Sequence, residues 1–150
     1  MATITASIIA LCAAILVAWF GRLLKISEFR QAWINDLRKD VADYLGVTER
    51  WFNAHMKGEE DWKLFSMGNE ASVILYRIKM RINPHDNMHK KSDGEFIAAL
   101  EKLQYPNLAP KEQLETYWRS AADEAVQKAR ELLKREWEIT KQFGMPWLGW

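Results

Sequence analysis

Residues 2–21 read ATITASIIALCAAILVAWFG, and no charged side chain occurs before Arg22. All 41 charged residues (21 Lys+Arg and 20 Asp+Glu) lie from Arg22 onward in a chain of 150. The apolar stretch runs from about residue 4 to residue 20, and Leu23, Leu24 and Ile26 carry it past the first arginine. A helix rises about 1.5 Å per residue, so roughly 20 residues cross the hydrocarbon core of a bilayer. The stretch falls at the short end of that range, with Arg22 placed to reach the headgroups along its own side chain. Trp19 and Phe20 beside Arg22 and Lys25 resemble the aromatic and basic belt of a membrane interface. The reading is a transmembrane anchor over residues 1–26.

Two other readings compete. A cleaved signal peptide needs a basic region before the apolar run and a small-residue cleavage site. Residues 1–7 contain no Lys or Arg, and Ala18-Trp19-Phe20-Gly21 is bulky. Cys12 would suit lipoprotein processing, but Leu11 is a poor residue before that cut. A buried helix of a soluble protein is the third reading. If the segment is an anchor, its flanks orient it: Arg22, Lys25, Arg30, Arg38 and Lys39 follow it and no basic side chain precedes it. The positive-inside rule then puts the N-terminus outside and residues 22–150 in the cytoplasm. The absence of any Asn-X-Ser/Thr site agrees.

The remaining composition, 49% hydrophobic and 27% charged overall, fits one folded domain. A net charge of +1 argues against a dedicated nucleic-acid binder. One cysteine allows neither an intrachain disulfide nor a multi-cysteine metal site. Four prolines and seven glycines are too few for a sandwich or barrel built from many tight turns.

The body reads as helix. Over residues 27–57, Phe29, Trp33, Leu37, Val41, Tyr44/Leu45, Thr48, Trp51/Phe52 and Met56 recur in steps of three and four, one stripe on a helix face. The charges Arg30, Asp36, Arg38, Lys39, Asp40, Asp43 and Glu49 fall mostly off that stripe, and Gly46 marks a candidate kink or break. Residues 57–61 read as a turn carrying the acidic run Glu59-Glu60-Asp61. A second helix is predicted over about 69–82, with Ala71, Ile74/Leu75, Ile78 and Ile82 inward and Arg77, Lys79 and Arg81 outward. Asn83-Pro84 stops it. Ser92 or Asp93 caps a helix over 93–104 bearing Phe96, Ile97, Leu100 and Leu103. The last helix, 111–143, follows Pro110 and carries Leu114, Tyr117/Trp118, Ala121, Ala125, Ala129, Leu132/Leu133 and Trp137. Glu115–Arg119, Glu124–Lys128 and Glu131–Arg135 are spaced as i,i+4 pairs. Gly144 and Pro146 end it, leaving residues 144–150 as an apolar tail. The expected fold class is all-α: one N-terminal transmembrane helix continuing into a cytoplasmic antiparallel helical bundle.

The strings EFRQAWINDLR (28–38), RIKMRINP (77–84) and LLKREWE (132–138) resemble a group of small bacterial single-pass membrane proteins. That group shares the order of span, charged helix, Asn-Pro break and terminal helix. The resemblance implies a bacterial inner membrane and supplies no activity, cofactor or site residue. The tail 144–150 departs from the charged ending of the group.

Chemical motifs are scarce. There is no Gly-rich phosphate loop, paired CxxC, HExxH or Gly-X-Ser-X-Gly elbow. The nearest approach to a site is His85-Asp86-Asn87-Met88-His89, where His85, Asp86 and His89 have ligand chemistry but sit at a helix break. His55 reads as a half-buried packing residue, and Cys12 as a small hydrophobe within the span. No enzyme, cofactor, metal or small-molecule substrate is expected. Of eight tryptophans, Trp33, Trp51, Trp118 and Trp137 fall on helical stripes, while Trp147 and Trp150 in the tail suit docking, a partner or the bilayer interface. Ala6, Ala10, Ala14 and Ala18 form a small-residue face that permits close helix approach. With Trp33 and Trp51 they are the candidate contacts to a second copy or to other membrane proteins. The function classes left are an accessory subunit of a membrane assembly, a homo-oligomeric membrane effector (pore-forming or phage-defence type), and a membrane-tethered adaptor for a cytoplasmic partner.

Overall fold

A computed structural model describes residues 2–82, 89–104 and 111–144. Among the described residues there are four α-helices and no strand: α1 (Ala2–Lys57), α2 (Asp61–Arg81), α3 (Lys90–Lys102) and α4 (Leu114–Gly144), the last led in by a 3-10 turn over Lys111–Gln113. The chain divides into two compact units. One holds the described residues up to Ile34 together with those from Glu136, and the other is Asn35–Arg135.

In the first unit, the apolar segment of α1 is helical and uncovered. Ile9 is 69% exposed, Val17 72% and Leu11 61%. Further along, Arg30 of α1 pairs with Glu136 of α4 at 3.1 Å, and the Thr140 hydroxyl donates to the Glu136 carbonyl one turn back. Phe29, expected on the inward stripe, is 74% exposed, and Ile34 is buried instead. The apolar positions here leave two faces to choose from, and only packing selects one.

In the second unit, α1 contributes Leu37, Val41, Tyr44, Val47, Thr48 and Phe52 to the core and continues through Gly46 without a break in the helix. It ends on a Gly58 at φ +71, where the Glu59 N–H bonds Ala54 O (3.0 Å) and the Gly58 N–H bonds His55 O (3.1 Å). This paired arrangement closes the helix end by a left-handed residue that glycine adopts without steric cost. Met56, placed on the stripe by periodicity, lies past the core and is exposed.

The second helix starts at Asp61, not near 69. Glu60 is extended (φ −61, ψ 141), its carbonyl accepts from the Lys63 and Leu64 N–H groups, and Asp61 puts negative charge on the helix N-terminus. Gly68 and Asn69 weaken the sequence signal inside this helix, yet packing on α1 carries it through. Its inner face, Ala71, Ile74, Leu75 and Ile78, is the one periodicity assigns.

α3 begins at Lys90 rather than 93, with His89 at its N-cap and no side-chain cap. Ser92 instead donates to the His89 carbonyl, and Asp93 is buried in the first turn. Phe96, Ala99, Leu100 and Leu103 face the core. The Tyr44 hydroxyl, itself fully buried, donates to the Leu100 carbonyl at 2.9 Å and ties α1 to α3. Phe52 stacks on Trp118 of α4, centroids 5.0 Å apart and 14° from parallel. α4 buries Leu114, Trp118, Ala121, Ala125, Ala129 and Leu132, while Trp137, expected on that stripe, is 44% exposed.

Candidate functional site

Two kinds of place merit chemical scrutiny: clusters of charge and surfaces of uncovered apolar side chains. The principal charge cluster sits where α1 meets α2. Asp40 lies within the inward stripe, contrary to the expectation that it falls outside, and its side chain is only 4% exposed. Arg81 donates through Nε to Asp40 Oδ2 at 2.8 Å and reaches Asp36 at 3.3 Å, while Arg77 Nε lies 3.4 Å from Asp40 Oδ1. A carboxylate taken from water is tolerated only when paired and hydrogen-bonded, and two guanidinium groups supply both. Lys79 pairs with Glu101 of α3. The basic run 77–81 is thus engaged by acids of the chain itself rather than simply solvated.

Between α3 and α4 the same substitution of tertiary for local pairing occurs. Of the three i,i+4 pairs expected on α4, Glu115–Arg119 forms at 2.8 Å. Lys128 instead bonds Glu95 at 2.7 Å, Glu124 bonds Lys102 at 2.7 Å, and Arg135 bonds the buried Asp93 at 2.8 Å. The hydrogen bond from Lys128, reinforced by its charge, holds the Glu95 carboxyl below its ordinary pKa. The same bond holds the Lys128 ammonium above its own ordinary value. Lys63, hydrogen-bonded across one turn, likewise lowers Glu59.

Among the described residues of this unit, two grooves stand out. One of about 530 Å³ between α1 and α2 is lined by Asp43, Gly46, Arg50, Glu70, Val73 and Arg77. Its charges largely answer one another, Arg50 with Glu70 at 3.4 Å and Arg77 with Asp40. The other, about 360 Å³, is lined by Thr48, Trp51, Phe65, Asn69, Ser72 and Gln104 among others. Its hydroxyls donate to helix carbonyls: Thr48 to Tyr44 and Leu45, Ser72 to Gly68. Among the described residues no group of three or more His, Cys, Asp or Glu side chains converges as a metal site would require.

Of the residues singled out from sequence, Trp19 (62% exposed), Phe20, Arg22 and Lys25 all lie exposed on α1. Ala10, Ala14 and Ala18 are exposed on the same helix; Ala6 lies in the helix, but its side chain is outside the described set. Trp33 and Trp51 are half-buried, and Trp51 stacks on His55 with centroids 5.3 Å apart. His89 is half-buried at the start of α3, where its carbonyl accepts from Asp93 and Ser92. His85, Asp86, Trp147 and Trp150 lie outside the described residues.

One surface escaped the sequence reading. Trp62, Phe65, Val73, Tyr76 and Met80 line the outer side of α2, between 62% and 81% exposed. Their spacing carries a helical signal, but it depends on α2 reaching back to Asp61. No protein-family model, curated protein or solved structure matches this chain.

Proposed function

We propose that this protein is a non-enzymatic, single-pass protein of the bacterial inner membrane that serves as an accessory subunit of a larger membrane assembly. The N-terminus faces outward, and the helical bundle built from the rest of the chain is cytoplasmic. The observation that carries the reading is the uncovered N-terminal part of α1. Its Ile, Leu and Val side chains stand more than half exposed, and no charged residue precedes Arg22. A soluble core helix would find cover inside its own fold, whereas lipid is a natural solvent for such a surface. Trp19, Phe20, Arg22 and Lys25, all exposed, suit the interface at the end of the span. Partner contacts fall to the half-buried Trp33 and Trp51 and to whatever helices lie beside the anchor.

The exposed Ala10, Ala14 and Ala18 favour a second reading, a homo-oligomeric membrane effector packed through its spans. Mild-detergent purification of the full chain from its own membrane, with intact-complex mass, separates the two. Other membrane proteins at fixed ratio support the subunit. A multiple of the 17.6 kDa protomer alone supports the effector. A soluble product lacking residues 1–20 refutes both.

A further inference from the structure

The outer face of α2 is an apolar stripe with one polar residue at its middle. Trp62, Phe65, Asn69, Val73, Tyr76 and Met80 follow one another in steps of three and four, all exposed. At 100° per residue they fall within a sector of about 80°. The opposite face buries Ala71, Ile74, Leu75 and Ile78 in the core, so α2 is apolar on two sides. A fully buried aromatic covers 150–250 Å², so the three rings with Val73 and Met80 offer roughly 600 Å² per copy. That is near the about 800 Å² per partner of a standard interface and at the upper limit of ordinary surface patches.

We propose that this stripe is the seam of a parallel, in-register homodimer in which α2 of one copy packs against α2 of a second. Asn69 selects the occupant. Its side-chain amide is both donor and acceptor, so across a two-fold axis two copies of Asn69 complete each other. Lipid tails leave that amide unpaired. A single Asn at an inward seam position is also a known determinant of register and two-strandedness. Antiparallel packing would set Asn69 against Val73 and lose the match.

Charge points the same way. The cations flanking the stripe are already engaged within the chain: Arg77 and Arg81 with Asp40, Lys79 with Glu101, and Lys63 with Glu59. They therefore add little repulsion between copies and little pull toward anionic headgroups. The Trp62 indole N–H donates to Glu60, so its one polar group needs no partner from a second copy, while the Lys63 ammonium lies 5.9 Å from the ring centroid. The inference stands apart from the proposed membrane anchor, because every residue it uses lies in the unit Asn35–Arg135.

The test uses full-length protein in mild detergent with Cys12→Ser, so that an introduced cysteine is the only thiol. Val73→Cys, next along the stripe so that Asn69 is kept, is expected to form an intermolecular disulfide under mild oxidation, and Ser120→Cys, exposed on α4, is expected not to. Phe65→Glu and Tyr76→Glu, each introduced alone in the otherwise unmodified chain, are expected to raise the dimer dissociation constant at least about 30-fold with unchanged helix content. Three results overturn the proposal: equal cross-linking at positions 73 and 120, a monomer at all concentrations, or a dimer indifferent to both glutamates. None of these results depends on whether residues 4–20 cross a membrane.

Discussion

The Asp40–Arg81 pair makes an asymmetric prediction. Arg81→Ala removes the 2.8 Å hydrogen bond to a carboxylate that is 4% exposed and leaves it only Arg77 at 3.4 Å. Removing one partner of a buried pair costs about 3–5 kcal/mol, and the retained Arg77 reduces this to roughly 2–3 kcal/mol. Asp40→Ala leaves Arg81 with Asp36 and, at 27% exposure, with water, so its cost should be lower, about 1–2 kcal/mol. Replacing the pair by Asp40→Leu with Arg81→Met removes both charges together and should fall within about 1 kcal/mol of the starting protein. The assay is thermal unfolding of the full chain in non-ionic detergent, followed by circular dichroism. Arg81→Ala should lower Tm by about 5–10 °C. The reasoning fails if Asp40→Ala proves the more damaging change, or if the double variant is as unstable as Arg81→Ala alone.

Other expectations follow from the same contacts. Tyr44→Phe removes the buried hydroxyl donated to Leu100, while the Leu103 N–H still bonds that carbonyl, so urea unfolding should show a loss of about 1 kcal/mol. Gly58→Ala forces a side chain into left-handed geometry and should cost about 1 kcal/mol, although the position has space for the methyl group. Gly46→Ala, in mid-helix with only the flexible tip of Arg50 at 4.0 Å, should instead stabilise by about 0.5–1 kcal/mol; a loss there would mean α1 bends at Gly46. The Glu95–Lys128 bond gives a pH signature with two limbs. Glu95, lowered in the folded state, contributes above the ordinary glutamate pKa of about 4.3, and that contribution is lost as pH falls through the lowered value. Lys128, raised, contributes below about 10.4 and loses it as pH rises through the raised value. Glu95→Gln should flatten both limbs in a pH series of melts; limbs identical to those of the parent would assign them to other groups.

Helix content and the inward faces of α2, α3 and the first part of α4 were legible in the sequence because Ala71, Ile74, Leu100 and Ala125 recur at helical period. The start of α2 was not. The acidic run ahead of it and Gly68-Asn69 inside it both signal a break, and only packing against α1 shows that the helix spans them. Asp40 misled for a related reason: a carboxylate within a stripe reads as surface until two arginines from another helix are seen to meet it. Long-range pairs such as Lys128–Glu95 displaced the local i,i+4 pairing because a basic side chain on α4 has acids within reach on both helices. Periodicity ranks only the near ones. The outer stripe of α2 stayed hidden with the helix start, since Trp62 and Phe65 join Tyr76 and Met80 only on a helix that begins at Asp61.

The membrane anchor is tested most directly through Cys12, the single cysteine of the chain, which sits midway along the apolar segment and is exposed in the isolated protein. Native membranes would be treated with a bulky, membrane-impermeant maleimide before and after solubilisation in denaturing detergent, and the mass shift of the chain recorded. A spanning α1 predicts no modification in intact membranes and complete modification after solubilisation. Prompt labelling in intact membranes would place Cys12 in water and contradict the anchor. A mature chain that never labels would have lost the segment carrying Cys12, and the N-terminus would be a cleaved signal.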